Sequence, residues 1–479
     1  MATKTITPET LLQAVDAVQP VIEQASDKLW HLAEVSLEEV KSAEYLVALL
    51  QEQGFTIVST GTAGIPTAFI AEWGSGEPKL GILLEYDALP GLGNEAVSCK
   101  QPRKDGTTSG HGCGHNLIGS GALGAALALK QTMTEYNING TLRIYGCASE
   151  ENEGAKVYMA REKLFQDLDA VLHCHPIDQA IIGNLRTAAN NSIRIEFSGT
   201  PAHAGISPWL GRSAVHAAEL FAHGINLMRE HLEPTARLHY VYENAGLAPN
   251  VVPDYAKIWL TVRDVDRARV NATTEWLRQA AEGAAMATQT RSNFILYFGM
   301  YDLLPNTPLA QRMQSHMEHI GIPAWTDTEQ SFARELQSNF GVEPKGMATH
   351  VVPLQNEPAL GGSTDVGDIS WSVPTMGVAM PSIPLGISLH TWAATATHGM
   401  SIGKKAAIAM AKVMAVTGLD ILTDSELRQA AKADFERRTA GKPYVSPLPD
   451  DRKQPFGMPD WMTEDACREM FSGVVKAND

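Results

Sequence analysis

Four short segments of this 479-residue chain carry side chains able to hold a metal ion. His111-Gly-Cys-Gly-His115 places two imidazoles and a thiol within five residues. Its glycines allow the tight turn that aims several soft donors at one point. Glu150-Glu151 follows the apolar run Thr141–Cys147. Neighbouring side chains of extended backbone point opposite ways, so one carboxylate can face an ion and the other a substrate. His173-Cys-His175-Pro ends the next apolar run, and His390 stands in the later loop Leu389-His-Thr-Trp392. Each segment alone has an ordinary reading: a glycine-rich loop with surface histidines, a solvated carboxylate pair, or a histidine satisfied in the core. Together they offer metal-competent groups at three successive strand ends and one distant loop, a coincidence that random placement does not produce. Imidazole, thiolate and carboxylate in combination suit Zn²⁺ or Mn²⁺.

Such donors converge only if regular elements position them. Thr67–Trp73, Leu80–Glu85, Thr141–Cys147 and Ala170–Cys174 read as short buried strands with flanking turns. A helix ending over Leu46–Glu52 and helical stretches at Leu117–Glu135 and Ala155–Phe165 alternate with them. That alternation predicts a layered α/β sheet, mostly parallel, with its sites at the carboxyl ends of the strands. The texture changes near Asn190. Ser192–Phe197 alternates, helices are expected over Arg212–Glu230 and Arg267–Met286, and strands near Leu238–Glu243, Ala256–Val262 and Arg291–Phe298. This predicts a compact α+β unit over 190–305 inserted into a larger domain made of 1–189 and 306–440. Helices at Pro308–Ile320, Glu329–Phe340 and Ile402–Thr417 belong to the second part, and a proline-rich tail follows over 441–479.

The bulk properties narrow the partners. A length of 479 residues suits two domains rather than one core. A formal net charge of -16 without a run of Lys or Arg argues against nucleic acid, which demands a basic face. An anionic substrate would therefore need a local basic pocket. No apolar stretch is expected to reach the roughly 18 residues that span a bilayer, and the apolar run at Gly119–Leu129 reads as a buried helix. The N-terminus has no secretory pattern. Five cysteines, odd in number and without framework spacing, fit a reducing cytoplasm.

Leu84-Glu-Tyr-Asp-Ala-Leu-Pro90, His111-Gly-Cys-Gly-His-Asn116, Glu150-Glu151 and Gly199-Thr-Pro-Ala-His203 resemble the signature blocks of the aminoacylase and glutamate-carboxypeptidase superfamily of dinuclear metallopeptidases. The Cys-Gly-His form is similar to the branch that holds auxin-conjugate, hippurate and other N-acyl-amino-acid amidohydrolases, and within it to the p-aminobenzoyl-glutamate hydrolase group. The likeness runs from about Lys28 to about Thr417 and includes Ser-Thr-Asp365-Val-Gly-Asp368.

The resemblance implies two divalent ions, Mn²⁺ or Zn²⁺, with Cys113 bridging them and His115, Glu151, His175 and His390 as the remaining ligands. It implies Glu150 as general base and Asp87 as an outer residue that orients a ligand. It makes the inserted unit a lid and a homodimer contact, with His203 reaching the reacting carbonyl and Asn250 and Arg263 holding the substrate's free carboxylate. Arg263 would supply the basic pocket, although an ion pair with Asp264 or Asp266 is the plainer reading of it. The implied reaction is hydrolysis of a small N-acyl amino acid, foremost an aromatic-acyl glutamate or aspartate such as p-aminobenzoyl-glutamate. Auxin-conjugate hydrolysis, dipeptide hydrolysis and a role as one subunit of a heteromeric hydrolase are the alternatives. Asn116 and Thr364 stand where relatives commonly have acidic residues, which is expected to bear on substrate. The segment 326–357 reads as an extra insertion without an assigned role.

Overall fold

The computed structural model describes residues 6–452 and 454–455, so Cys467 and the tail beyond 455 lie outside the described residues. Among them, eleven strands form two sheets. In chain order they are β1 (Thr56–Thr60), β2 (Phe69–Ser75), β3 (Lys79–Glu85), β4 (Gly140–Cys147), β5 (Ala170–Ile177) and β6 (Ile181–Ile182), then β7 (Ala189–Ser198), β8 (Arg237–Asn244), β9 (Tyr255–Asp264), β10 (Arg291–Met300) and β11 (Thr375–Pro381).

The larger sheet has the order β1-β2-β4-β3-β5-β11-β6. Its centre, β4-β3-β5-β11, is parallel, while β2 and β6 run antiparallel to their neighbours. The parallel strands are buried almost end to end, as expected for strands covered on both faces. Helices Pro8–Leu32, His115–Tyr136 and Ser401–Thr423 pack on one another, and the latter two lie on the parallel strands. The alanines and glycines of His115–Tyr136 permit that close approach: a Cβ on Gly124 would fall 2.3 Å from Ile22.

The smaller sheet, β10-β7-β9-β8, is entirely antiparallel and drawn from 189–300. Helices Ala214–Met228 and Arg267–Ala287 cover it around a second apolar cluster that includes Ile193, Phe197, Phe221, Ile258 and Leu277. Its two crossings into the rest of the chain are paired, Met300 opposite Asn190. The buried Arg267 guanidinium donates to the Asn190 and Met300 carbonyls at 3.0 and 3.1 Å, stapling the crossing.

Two expectations need correction. Strand β11 is absent from the sequence reading of Thr375-Met-Gly-Val-Ala-Met-Pro381, because glycine and proline dilute its strand signal. Gly377 is required there, since a Cβ would lie 2.3 Å from the His173 ring. Secondly, Ser401–Thr423 is long and apolar enough to cross a membrane, with mean hydropathy 1.6 over its best window. That window is 83% buried inside the protein, so it is a core helix whose apolar face is already covered.

Candidate metal centre

The donors converge at the carboxyl edge of the parallel strands, where open α/β sheets place their sites. Glu85 ends β3 and Asp87 follows it, Glu150 and Glu151 follow β4, His175 lies near the end of β5, and His390 sits in the loop after β11. Cys113 and His115 arrive on the turn that opens helix His115–Tyr136. Gly114 makes that turn possible. Its φ is +83°, and a Cβ there would meet Pro176 at 2.5 Å. Only glycine lets the consecutive donors aim inward.

Three groups of side chains each bring their donor atoms within 4.8 Å of one another: Cys113 with His115 and His175, Cys113 with Glu151 and His390, and His115 with Glu150 and Glu151. Cys113 Sγ is 3.5 Å from His175 Nε2, and His390 Nε2 is 3.3 Å from Glu151 Oε2. His115 Nε2 stands 3.7 Å from Glu151 Oε1 and 3.9 Å from Glu150 Oε2. Both His115 Nε2 and Glu151 Oε1 are buried with no hydrogen-bond partner among the described residues. A buried polar atom left unpaired costs about 1–3 kcal/mol, so the arrangement calls for a cation. Soft sulfur, imidazole nitrogen and carboxylate oxygen at these spacings fit a divalent ion of the Zn²⁺ or Mn²⁺ type.

Outer hydrogen bonds fix which nitrogen each histidine presents. Asp87 Oδ1 lies 2.8 Å from His115 Nδ1, which leaves Nε2 free as a donor to metal. The other oxygen of Asp87 accepts from the Glu151 amide at 3.0 Å and the Ser36 hydroxyl at 2.8 Å. One carboxylate thus positions two donors. His175 Nδ1 lies 3.0 Å from the Pro176 carbonyl, which turns Nε2 toward Cys113. His390 has a left-handed backbone, φ 60°, and its amide donates to the Gly112 carbonyl.

The insertion at 326–357 braces this loop. Its helix Asp327–Phe340 packs Phe332, Leu336 and Phe340 against Ile383, Ile387, Leu389 and Trp392. Glu39, buried and not singled out by its sequence context, accepts from the Ser149 amide at 2.8 Å and the Thr67 hydroxyl at 2.9 Å. It thereby fixes the left-handed residue that precedes Glu150.

Several expected residues lie elsewhere. His111 turns away to the Leu29 carbonyl, and His173 packs on Gly377; neither joins the convergent groups. Asn116 spends its amide on Ser26 and the His398 carbonyl, inside the buried interior. His203 and Asn250 sit together on the inserted unit, both exposed, and neither hydrogen-bonds to the centre. Arg263 does not take the plainer role of pairing with Asp264 or Asp266. Half-buried, it donates to Ser363 Oγ at 3.3 Å, reaching from the inserted unit to the larger sheet's side.

Crowded carboxylates set the electrostatics. Burial, reinforced by the Glu85 charge, raises Glu150 to about 7, and burial raises Glu151 to about 7. Burial also pushes the Cys113 thiol up and lowers His175 to about 4. His115 moves the other way, well above the usual range: burial opposes its charged form, but Asp87 and Cys113 outweigh it. An unfolded glutamate ionises near 4.5. Between about 4.5 and 7 the metal-free fold therefore holds protons that the unfolded chain has released, and its stability falls as pH rises. Cations compete with those protons, so metal affinity should rise with pH across the same window. Metal titrations of the stripped protein at several pH values test this; an affinity independent of pH would place the ions elsewhere.

Comparison with known proteins agrees with this geometry. The model of peptidase family M20/M25/M40 matches residues 82–450. The chain is 36% identical over 464 residues to a subunit of the p-aminobenzoyl-glutamate hydrolase of Escherichia coli K12, covering 91% of this chain and 96% of that one. It is 27% identical over 385 residues to the Xaa-Arg dipeptidase of Mus musculus, covering 78% of each. A dinuclear metal-binding peptidase from Bacillus subtilis shares the fold, with a TM-score of 0.54 at 18% identity over 83% of this chain and 98% of that one.

Proposed function

This chain belongs to peptidase family M20/M25/M40 and is a hydrolase of amide bonds, and from that premise we propose that it cleaves N-acyl amino acids, foremost an aromatic-acyl glutamate or aspartate such as p-aminobenzoyl-glutamate. The observation that carries this reading is the cluster of Cys113, His115, Glu151, His175 and His390 with the second glutamate, Glu150, at its edge. Cys113 belongs to two of the three donor groups, which supports a bridging role for its sulfur. Two divalent ions held there, Mn²⁺ or Zn²⁺, would polarise the amide carbonyl and acidify a water.

The chain's own residues do the rest. Glu150 takes the proton from the attacking water and returns it to the leaving nitrogen, so that one amide and one water become a carboxylate and an amine. Asp87 keeps His115 and the Glu151 backbone in place throughout. His203 Nδ1 accepts from the Gly205 and Ile206 amides at 3.1 and 3.2 Å, so its proton sits on Nε2. That N–H suits an oxyanion, and the unit spanning about 190–305 must close as a lid to deliver it, together with Asn250.

Arg263 is our candidate for the substrate's free carboxylate, because its half-buried guanidinium has a hydroxyl partner and no paired carboxylate among the described residues. Arg263→Ala should raise KM for N-acyl glutamates by about 10–100-fold with kcat largely kept, the mark of lost ground-state binding worth ~1.5–3 kcal/mol. Substrates whose carboxylate is amidated should not respond. An equal loss on both would remove Arg263 from carboxylate recognition.

The decisive experiment loads the purified chain with Mn²⁺ or Zn²⁺ and offers N-acyl glutamates and aspartates, aromatic and aliphatic, with and without chelator. Chelator-sensitive release of the amino acid is expected. The 36% identical relative is one subunit of its hydrolase, which favours a second reading: the chain binds two ions yet turns over only with a partner chain. Self-association through the inserted unit is also proposed, supported by the exposed side chains of Val241, Tyr242 and Trp276. A cytoplasmic setting is supported by four free cysteines among the described residues.

A further inference from the structure

Lys156 is a fully buried lysine, and it lies between two buried carboxylates. Its ammonium is 2.5 Å from Asp365 Oδ1 and 2.7 Å from Glu85 Oε1. Asp365 Oδ2 also accepts from the Lys156 amide at 3.1 Å, so this lysine is fixed at both its backbone and its tip. A buried ion triad is a poor source of stability, because desolvation costs offset most of the attraction and apolar replacements serve as well. Its geometry suggests another purpose.

Glu85 turns only one oxygen to Lys156. The other, Oε2, faces His115 Nε2 at 3.6 Å. Asp87, two residues on, holds the opposite edge of the same ring at Nδ1. Two carboxylates from one strand end therefore bracket the imidazole of His115. The 3.6 Å spacing is long for a hydrogen bond, but two donors about 2.0–2.2 Å from a tetrahedral ion stand about 3.3–3.6 Å apart. Glu151 Oε1 approaches the same nitrogen at 3.7 Å. Among the three histidines of the centre, Glu85 pairs with His115 alone.

We propose that Glu85, oriented by Lys156, is an additional anionic donor to the one ion that His115 helps to hold. The inference rests on the metal-centre reading above. Lys156 fixes the direction of the carboxylate, and Asp365 fixes Lys156.

Zn²⁺ titration of the stripped full-length chain, in competition with a chromophoric chelator, tests it. Wild type should bind two ions. Glu85→Gln should bind one of them more than about 100-fold more weakly, a larger loss than removal of a residue that only supports a metal from outside its ligand set, and leave the other unchanged. The metal-free variant should still fold and melt cooperatively, because glutamine keeps an oxygen for Lys156 and Asp365 keeps its charge paired. Glu85→Asp retains the charge but withdraws the oxygen, and should lose the same affinity; this variant decides the matter if Glu85→Gln fails to fold. Two unchanged binding constants in either folded variant would overturn the role of Glu85 while leaving the centre intact. A wild-type chain that binds no Zn²⁺ would instead overturn the metal centre and this inference with it.

Discussion

Glu150→Gln should abolish nearly all turnover while the protein keeps both ions and its fold. The glutamine is isosteric and fills the same space at the edge of the cluster, where Glu150 Oε2 lies 3.9 Å from His115 Nε2. It cannot take a proton from water or hand one to the leaving nitrogen. General-base catalysis contributes about 10²–10⁴-fold, so kcat should fall by that factor, or ~3–5 kcal/mol of barrier. In the metal-free site burial and the neighbouring Glu85 raise Glu150 to about 7, and bound cations would lower it again toward the ionised form a base needs. Metal content and kcat measured on one preparation separate the cases. Full activity removes Glu150 as the base; loss of an ion makes it a ligand.

Cys113→Ser is expected to remove metal and activity together. The sulfur is shared by two donor groups, so one substitution reaches both ion positions. A serine hydroxyl does not ionise near neutral pH and is a poor ligand for Zn²⁺, whereas a cation readily draws the proton from the buried thiol. The loss of affinity should exceed the roughly 10–100-fold that an outer partner costs. Added metal at about 100 times its dissociation constant stabilises a fold by ~2.7 kcal/mol, so wild type should melt higher with Mn²⁺ or Zn²⁺ and Cys113→Ser should not respond. A variant that still gains thermal stability and hydrolyses substrate would show that the sulfur is not shared.

The sequence by itself determined the kinds of donor, their order along the chain and their placement at strand ends. That is local information: an apolar run such as Thr141–Cys147 closed by Glu150-Glu151 tells of a buried strand emerging at polar chemistry. It determined the α/β alternation and the change of texture near Asn190 for the same reason, because periodicity within one element follows from which face is buried. Tertiary structure decided which candidates meet. His111 and His115 are equivalent in the sequence, yet one ring goes to the Leu29 carbonyl and the other to the centre, a choice set by Asp87 and Gly114. Glu85, Lys156 and Asp365 come from distant parts of the chain and form one triad. The only local sign was a charged residue ending the apolar run Leu80–Leu84 of strand β3 and another near the start of the buried helix Ala155–Arg161. Strand β11 was hidden too, since its glycine answers the ring of His173 across the sheet rather than any local turn. Convergence depends on side chains far apart in sequence filling one volume, and no window of residues carries that constraint.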